Sequence, residues 1–380
     1  KSGGANPAHT LGGRLEQALR WLDNPGINDN GLGYQAIRSM LDEARRLADY
    51  LNPQDKNRML NMISDIGRLA DQLADLERRG LGNSPEAHAI RQQLKNKLNE
   101  FADFMKKVLT DKVVEDFADI TTPLKQFTDA VHAPFGMPNR DRNFEEKASN
   151  LHEHTSRCTN TALLLAKCGP CKNKKTVESL IEVSNQINTM TPQVINAGKI
   201  RLHNDTDSAE NHFENLRREY SDALTRLRGH VDDAIDTAEF VRASENAMHK
   251  YTTHCEEAIQ RDEPQFMVDN TSQIARLGNR VLMAAKNEAD NSEEPHFVSR
   301  VNNAAQQLHS AIPPMVNNAK QVAMAPRNQQ TANDWRNAND HLLESVRAVG
   351  DAISGVPYSQ NYSNHSIRSQ AATPNQYSSR

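Results

Sequence analysis

The sequence predicts an all-α fold assembled from antiparallel helical bundles, and three observations point there. Apolar residues recur at helical spacing along most of the chain, and no stretch alternates convincingly with period two. Hydrophobic residues make up 37% of the chain but aromatics only 5%, so each core must be thin and lined mainly by Leu, Ile, Val, Met and Ala. Bundles have such cores, whereas sandwiches and barrels draw on aromatic and β-branched runs.

From the N-terminus, residues 1–10 read as a linker or expression-derived segment. A first helix ends at Asp23-Asn24-Pro25-Gly26, and Asn28-Asp29-Asn30-Gly31 leads into the next. Met59, Met62, Ile63, Ile66, Leu69, Leu73 and Leu76 form one apolar stripe. Ser84-Pro85-Glu86 reads as N-cap, first-turn proline and first-turn acid. The stripe of Leu94, Leu98, Phe101, Met105 and Val108 then continues through Phe117, Ile120, Leu124, Phe127 and Val131 without a strong stop. As one helix, 84–131 would be a rod of roughly 70 Å, long enough to serve two consecutive bundles, with a kink expected at Thr122-Pro123. Pro134, Gly136 and Pro138 mark a loop, and Gly169-Pro170 marks another. Asn204-Asp205-Thr206-Asp207 caps a further helix, and Asp236 with Glu239 resembles a capping box. Asn291-Ser292-Glu293-Glu294-Pro295 is a tight connection. Beyond it, Phe297 to Val322 and Trp335 to Ile353 keep a seven-residue rhythm, giving about eleven helices in all. Prolines inside the stripes, at 123, 192 and 313–314, suggest repeated bundle units. After Gly355 a tract of Ser, Asn, Gln and Tyr has no period, and 356–380 reads as a disordered linker.

The charge balance narrows the partners. A net charge of −4 on 380 residues does not steer the chain to nucleic acid or an anionic membrane. No apolar run approaches the ~20 residues of a membrane span, and no secretory signal opens the chain. Four cysteines, at 158, 168, 171 and 255, are too sparse for a disulfide framework. The expectation is a cytosolic, reduced, monomeric protein without a cofactor.

Several stretches carry a family resemblance. Arg20-Trp21-Leu22-Asp23-Asn24-Pro25, Ala36-Ile37-Arg38 and Arg46-Leu47-Ala48 are similar to the vinculin family. So are Asp119-Ile120-Thr121-Thr122-Pro123, Pro138-Asn139-Arg140, Met190-Thr191-Pro192-Gln193-Val194 and Asp233-Ala234-Ile235-Asp236-Thr237. The densest stretch runs from Ser272-Gln273-Ile274-Ala275-Arg276 through Ala285-Lys286 to Asn291-Ser292-Glu293. None of these words is specific alone; the collinear set is. The α-catenins are more distant relatives and fit less well.

The resemblance implies an architecture and a role. Residues 11–236 match a third head domain, two four-helix bundles sharing one long helix, and 237–355 match a fourth, single four-helix bundle. The implied function is a non-enzymatic adhesion scaffold at cell–matrix and cell–cell contacts. The expected direct partner is the family's own tail bundle. Talin, α-catenin, α-actinin and F-actin are partners through regions with no counterpart in these residues. An α-catenin-like junction adaptor is the alternative. The resemblance also singles out Asn291 and Glu293, because the matching Asn and Glu of the family contact the basic tail bundle and help keep head and tail closed. On the residues alone, Asn291-Ser292-Glu293 can equally cap the next helix through Ser292.

Other constellations carry less. Cys168-Gly169-Pro170-Cys171 is spelled like a thioredoxin active site, but that chemistry needs a strand before it, and here an amphipathic helix precedes it. A helix-to-helix turn is the simpler reading. His152, His154 and Cys158 offer only one pair, His154 and Cys158, on a common helix face, too few ligands for zinc. Glu293 and His296 form one Glu-x-x-His pair, where a di-iron bundle needs two. Lys172, Lys174 and Lys175 read as a solvated helix start. No catalytic residue and no metal site is expected.

Overall fold

A computed structural model describes residues 10–355. The linker expected at 356–380, and all but the last residue of that expected at 1–10, lie outside this range. The described residues form twelve α-helices and no strand, in two compact units that divide between Ile235 and Asp236. None of these helices is long and apolar enough to cross a membrane.

In the first unit, α1 (Leu11–Asp23), α2 (Leu32–Ala48), α3 (Pro53–Arg78) and α4 (Pro85–Asp116) make one four-helix bundle. A second consists of α5 (Thr122–Val131), α6 (Arg140–Cys168), α7 (Lys174–His203) and α8 (Asp207–Ala234). Short connections make successive helices antiparallel neighbours. Helix α4 packs on α1 and α3 within the first bundle and reaches on to α6 of the second, so it serves both. The two are tied where the Thr161 hydroxyl donates to the Asp116 carboxylate at 2.5 Å. Phe127, Phe144 and Phe213 form the aromatic centre of the second bundle, with ring centroids 5.4 and 6.1 Å from Phe127. Helix α7 can approach α5 closely because residue 198 is glycine: a Cβ there would lie 2.7 Å from the Phe127 ring.

The continuous rod expected over 84–131 is interrupted. Helix α4 stops at Asp116, and 117–121 are not helical, which is why twelve helices are found rather than eleven. The cause is local chemistry at Asp119. One of its carboxylate oxygens accepts from the backbone N–H of Thr121 at 3.0 Å and of Thr122 at 3.1 Å, and Pro123 then opens α5. A carboxylate that takes up these donors competes with the helix ladder, and proline cannot rejoin it. The other stripe prolines behave differently, since Pro192 lies inside α7 and Pro313-Pro314 inside α11 without ending either helix.

The second unit is a closed ring of four helices. Helices α9 (Thr237–Arg261), α10 (Pro264–Asp290), α11 (Pro295–Met324) and α12 (Gln329–Ser354) pack in succession, and α12 returns to α9. Trp335 is fully buried. On the α9–α12 seam the Arg336 guanidinium spans both carboxylate oxygens of Glu256 at 2.8 Å each. Deeper in the same seam, Arg347 Nε donates to Glu245 at 3.2 Å, and both side chains are buried. The expected caps are present at Ser84, whose hydroxyl accepts from Ala87 N–H, and at Asp236, which accepts from Glu239 N–H. The Glu239 carboxylate also accepts from Arg242 Nε at 2.9 Å.

Candidate functional site

The turn carrying Asn291 and Glu293 joins α10 to α11. Helix α10 ends at Asp290; Asn291 caps it, its N–H bonding to the Asn287 carbonyl at 3.0 Å. Ser292 N–H donates to Ala289 O at 3.3 Å, completing the reversal. The N-cap of α11 is Glu294 rather than Ser292, with Pro295 in the first turn. The Ser292 hydroxyl instead accepts from Glu294 N–H at 3.2 Å and shapes the loop. Asn291, Glu293 and Glu294 are all exposed. Among the described residues no hydrogen bond or ion pair engages the Asn291 or Glu293 side chain.

Charge at this corner is one-sided. Asp290, Glu293 and Glu294 are exposed together at the carboxyl end of α10, whose dipole adds negative potential. Glu293 and Glu294 also precede the amino end of α11, where a negative charge is favourable. The turn therefore offers a basic surface two carboxylates and a carboxamide without breaking an existing bond.

The remaining candidates fall apart in space or in chemistry. Cys168 closes α6 and is buried, while Cys171 is half-buried beyond it. Burial pushes the Cys168 thiol up to about 12, the opposite of what a nucleophilic Cys-x-x-Cys thiol requires. His154 Nε2 lies 3.9 Å from Cys158 Sγ. Burial lowers the His154 pKa and pushes the Cys158 thiol up to about 12, so the pair is a neutral packing contact. Among the described residues no cluster of three His, Cys, Asp or Glu side chains could hold a metal. Lys172 pairs with Glu16 and Lys174 with Glu178, as solvated lysines do.

One feature was not legible in the sequence. A cleft of about 900 Å³ opens at the end of the first bundle, between the α1–α2 loop and the last turns of α3. Its lining includes Trp21, Ile27, Asp29, Tyr34, Asp71 and Glu77. The signal available was Asp29-x-Gly31-x-Gly33 beside a tryptophan, a pattern common to many turns.

Comparison with known proteins agrees along nearly the whole chain. The family model described as the Vinculin family matches residues 83–378. Vinculin of Brugia malayi is 66% identical over 378 residues, covering 98% of this chain and 38% of its own length. Vinculin of Caenorhabditis elegans is 66% identical over 359 residues, covering 94% and 33%. Vinculin of Homo sapiens is 38% identical over 350 residues, covering 92% and 31%. The chain thus spans roughly a third of the length of these relatives. Among solved structures, a vinculin homolog from a sponge superimposes with a TM-score of 0.81 at 28% identity, over 93% of this chain and 44% of that one. The HMP-1 M domain superimposes at 0.73 with 16% identity, covering 90% and 99%, a likeness of fold alone.

Proposed function

This chain belongs to the vinculin family, and from that premise we propose that it is the scaffold portion of an adhesion protein, acting by binding and positioning other helices rather than by catalysis. In this reading the chain comprises the third and fourth head domains, divided near residue 236. The first positions what flanks it through its double bundle. The second offers the turn at Asn291–Glu293 to the protein's own basic tail bundle. That contact helps hold a closed state in which an actin-binding surface is covered, and ligands or tension favour the open state. A ligand shifts that balance only by its difference in affinity between the two states. Talin, α-catenin, α-actinin and F-actin would be engaged through other regions, at cytoplasmic adhesion sites on the inner face of the plasma membrane.

The observation that carries the proposal is an exposed acidic turn in a chain collinear with vinculins over nearly its whole length. The test is a calorimetric titration of the family's tail bundle into this chain at low salt, repeated with Asn291→Ala and Glu293→Ala combined. Weak, salt-sensitive binding that falls in the double variant is expected. Equal binding by both proteins, or none by either, refutes the tail-contact role.

A further inference from the structure

The four helices of the second unit are not held alike. Every buried residue of α11 is apolar. Helix α10 approaches it closely at Gly278, where an added Cβ would lie 3.3 Å from Ile312 Cδ1 and 3.8 Å from Leu342 Cδ1 of α12. Among the described residues of this unit, every buried leucine and isoleucine belongs to α10, α11 or α12. Helix α9 has none. Its buried apolar residues are Phe240, Val241, Met248, Cys255 and two alanines, and Ser244 and Glu245 are buried beside them.

Polar contacts take the place of those anchors on both flanks of α9. Toward α12, Glu245 meets Arg347 at 3.2 Å, Thr252 Oγ1 accepts from Asn339 Nδ2 at 2.8 Å, and Glu256 meets Arg336 at 2.8 Å. As one partner advances along α9 the other recedes along α12, so the three stand as successive rungs of an antiparallel seam. Toward α10, the Thr237 hydroxyl donates to Glu288 at 2.5 Å, and His254 Nδ1 lies 3.3 Å from Asn270 Oδ1. The Arg280 guanidinium stands over the Phe240 ring, 5.3 Å from its centroid.

Contacts of this kind hold weakly against water. A hydrogen-bonded pair that separates exchanges its partner for solvent at a small net loss, and ions leaving a buried pair regain their hydration. Three buried atoms on α9 and α12, Glu245 Oε2, Asn339 Oδ1 and Trp335 Nε1, have no hydrogen-bond partner among the described residues. Opening the seam satisfies such atoms without breaking a bond of theirs. A buried leucine behaves in the opposite way, since exposing it forfeits its whole transfer free energy. The weak boundary of the unit therefore runs around α9, and the strong contacts lie among the other three helices.

We infer that α9 is a separable strap: it leaves the second unit as one block while α10, α11 and α12 stay packed, uncovering the faces of α10 and α12 beneath it. Local opening of this kind is a property of the native state and does not require global unfolding. The test is native-state hydrogen exchange on the whole chain, in denaturant too dilute to unfold it, read by mass spectrometry on peptides from α9 and α11. The amides of 237–261 should exchange as one group. Their protection should be roughly ten- to a hundredfold below that of α11, the equivalent of one buried leucine. Ile312→Val, on α11 against Gly278, should speed exchange of α11 roughly two- to tenfold and leave α9 unchanged, because α11 is intact in the state that exposes α9. Equal protection of α9 and α11 overturns the inference, as does an α9 that responds to Ile312→Val as strongly as α11. Fast exchange confined to the first turn of α9 also overturns it, because that describes a fraying helix end.

Discussion

Glu245 and Arg347 lie at the centre of the second unit, and their removal makes a quantitative test. Their side chains are 1% and 5% exposed, with Arg347 Nε 3.2 Å from Glu245 Oε1. His249 Nε2 is 3.5 Å from the same oxygen, and Glu245 Oε2 has no hydrogen-bond partner. At 3.2 Å and an effective dielectric of about 20, the pair attracts by about 5 kcal/mol. Desolvation of both groups offsets much of that. Arg347→Met alone leaves the Glu245 carboxylate buried without its guanidinium, at a cost of about 3–5 kcal/mol. Glu245→Leu combined with Arg347→Met removes both charges and should return to within about 1 kcal/mol of the parent. The assay is urea unfolding in a Trp21→Phe background, so that the buried Trp335 of the same unit reports alone. The single variant should lower the midpoint by roughly 2 M, and the double variant should recover most of it. A single variant costing under about 1 kcal/mol would falsify the argument that this seam depends on charge pairing. A double variant as unstable as the single would point to packing of the arginine stem instead.

Further outcomes follow from individual glycines, the cysteines and one histidine. Gly33→Ala forces a Cβ into Trp21 and should destabilise the first unit by about 1–3 kcal/mol. Gly229→Ala, in α8 with nothing within 4 Å of the new Cβ, should stabilise it by about 0.5–1 kcal/mol; thermal melts of both variants check the pair. Burial pushes the thiols of Cys158, Cys168 and Cys255 up to about 12, so in the native protein at pH 8 a thiol reagent should modify Cys171 first, and the others only on unfolding. The folded state keeps these three protonated while the unfolded chain ionises near its ordinary ~8.5, so stability is full below that value and is lost as pH rises toward 12. Burial, reinforced by Arg157, holds the His154 pKa below its ordinary value, so the unfolded chain takes up the proton first. His154 therefore contributes stability that is present above about pH 6.5 and is lost as pH falls through its folded value; His154→Gln should flatten that part of the urea-midpoint profile.

Much of the fold could be read because the signals are local. Ser84 and Asp236 each bond an N–H three residues on, a relation visible in the sequence itself. The break after Asp116 escaped because the hydrophobic period runs straight through it. Phe117 and Ile120 are buried on either side of Asp119, so a stripe that ignores hydrogen bonding sees no interruption. Asp119 and Pro123 together were the available sign, but a first-turn proline and a mid-helix kink look alike in one dimension. The same ambiguity hid the difference between Pro123, which opens a helix, and Pro192, which a helix absorbs.

The less legible features are those made by distant residues. Glu245 and Arg347 are 102 positions apart, and each looks alone like a charge on a solvated face; only the ring closure of α12 on α9 brings them together. The wall of the cleft likewise pairs Trp21 with Glu77, 56 positions on. The turn at Asn291–Glu293 was legible in place but not in strength, because placement follows from helix ends while strength depends on the partner. An exposed carboxylate contributes at most about 1 kcal/mol to an ion pair in water, so this turn cannot hold a partner by itself. It becomes decisive only where a second contact already keeps the partner near, since the linked contact is then made at high effective concentration.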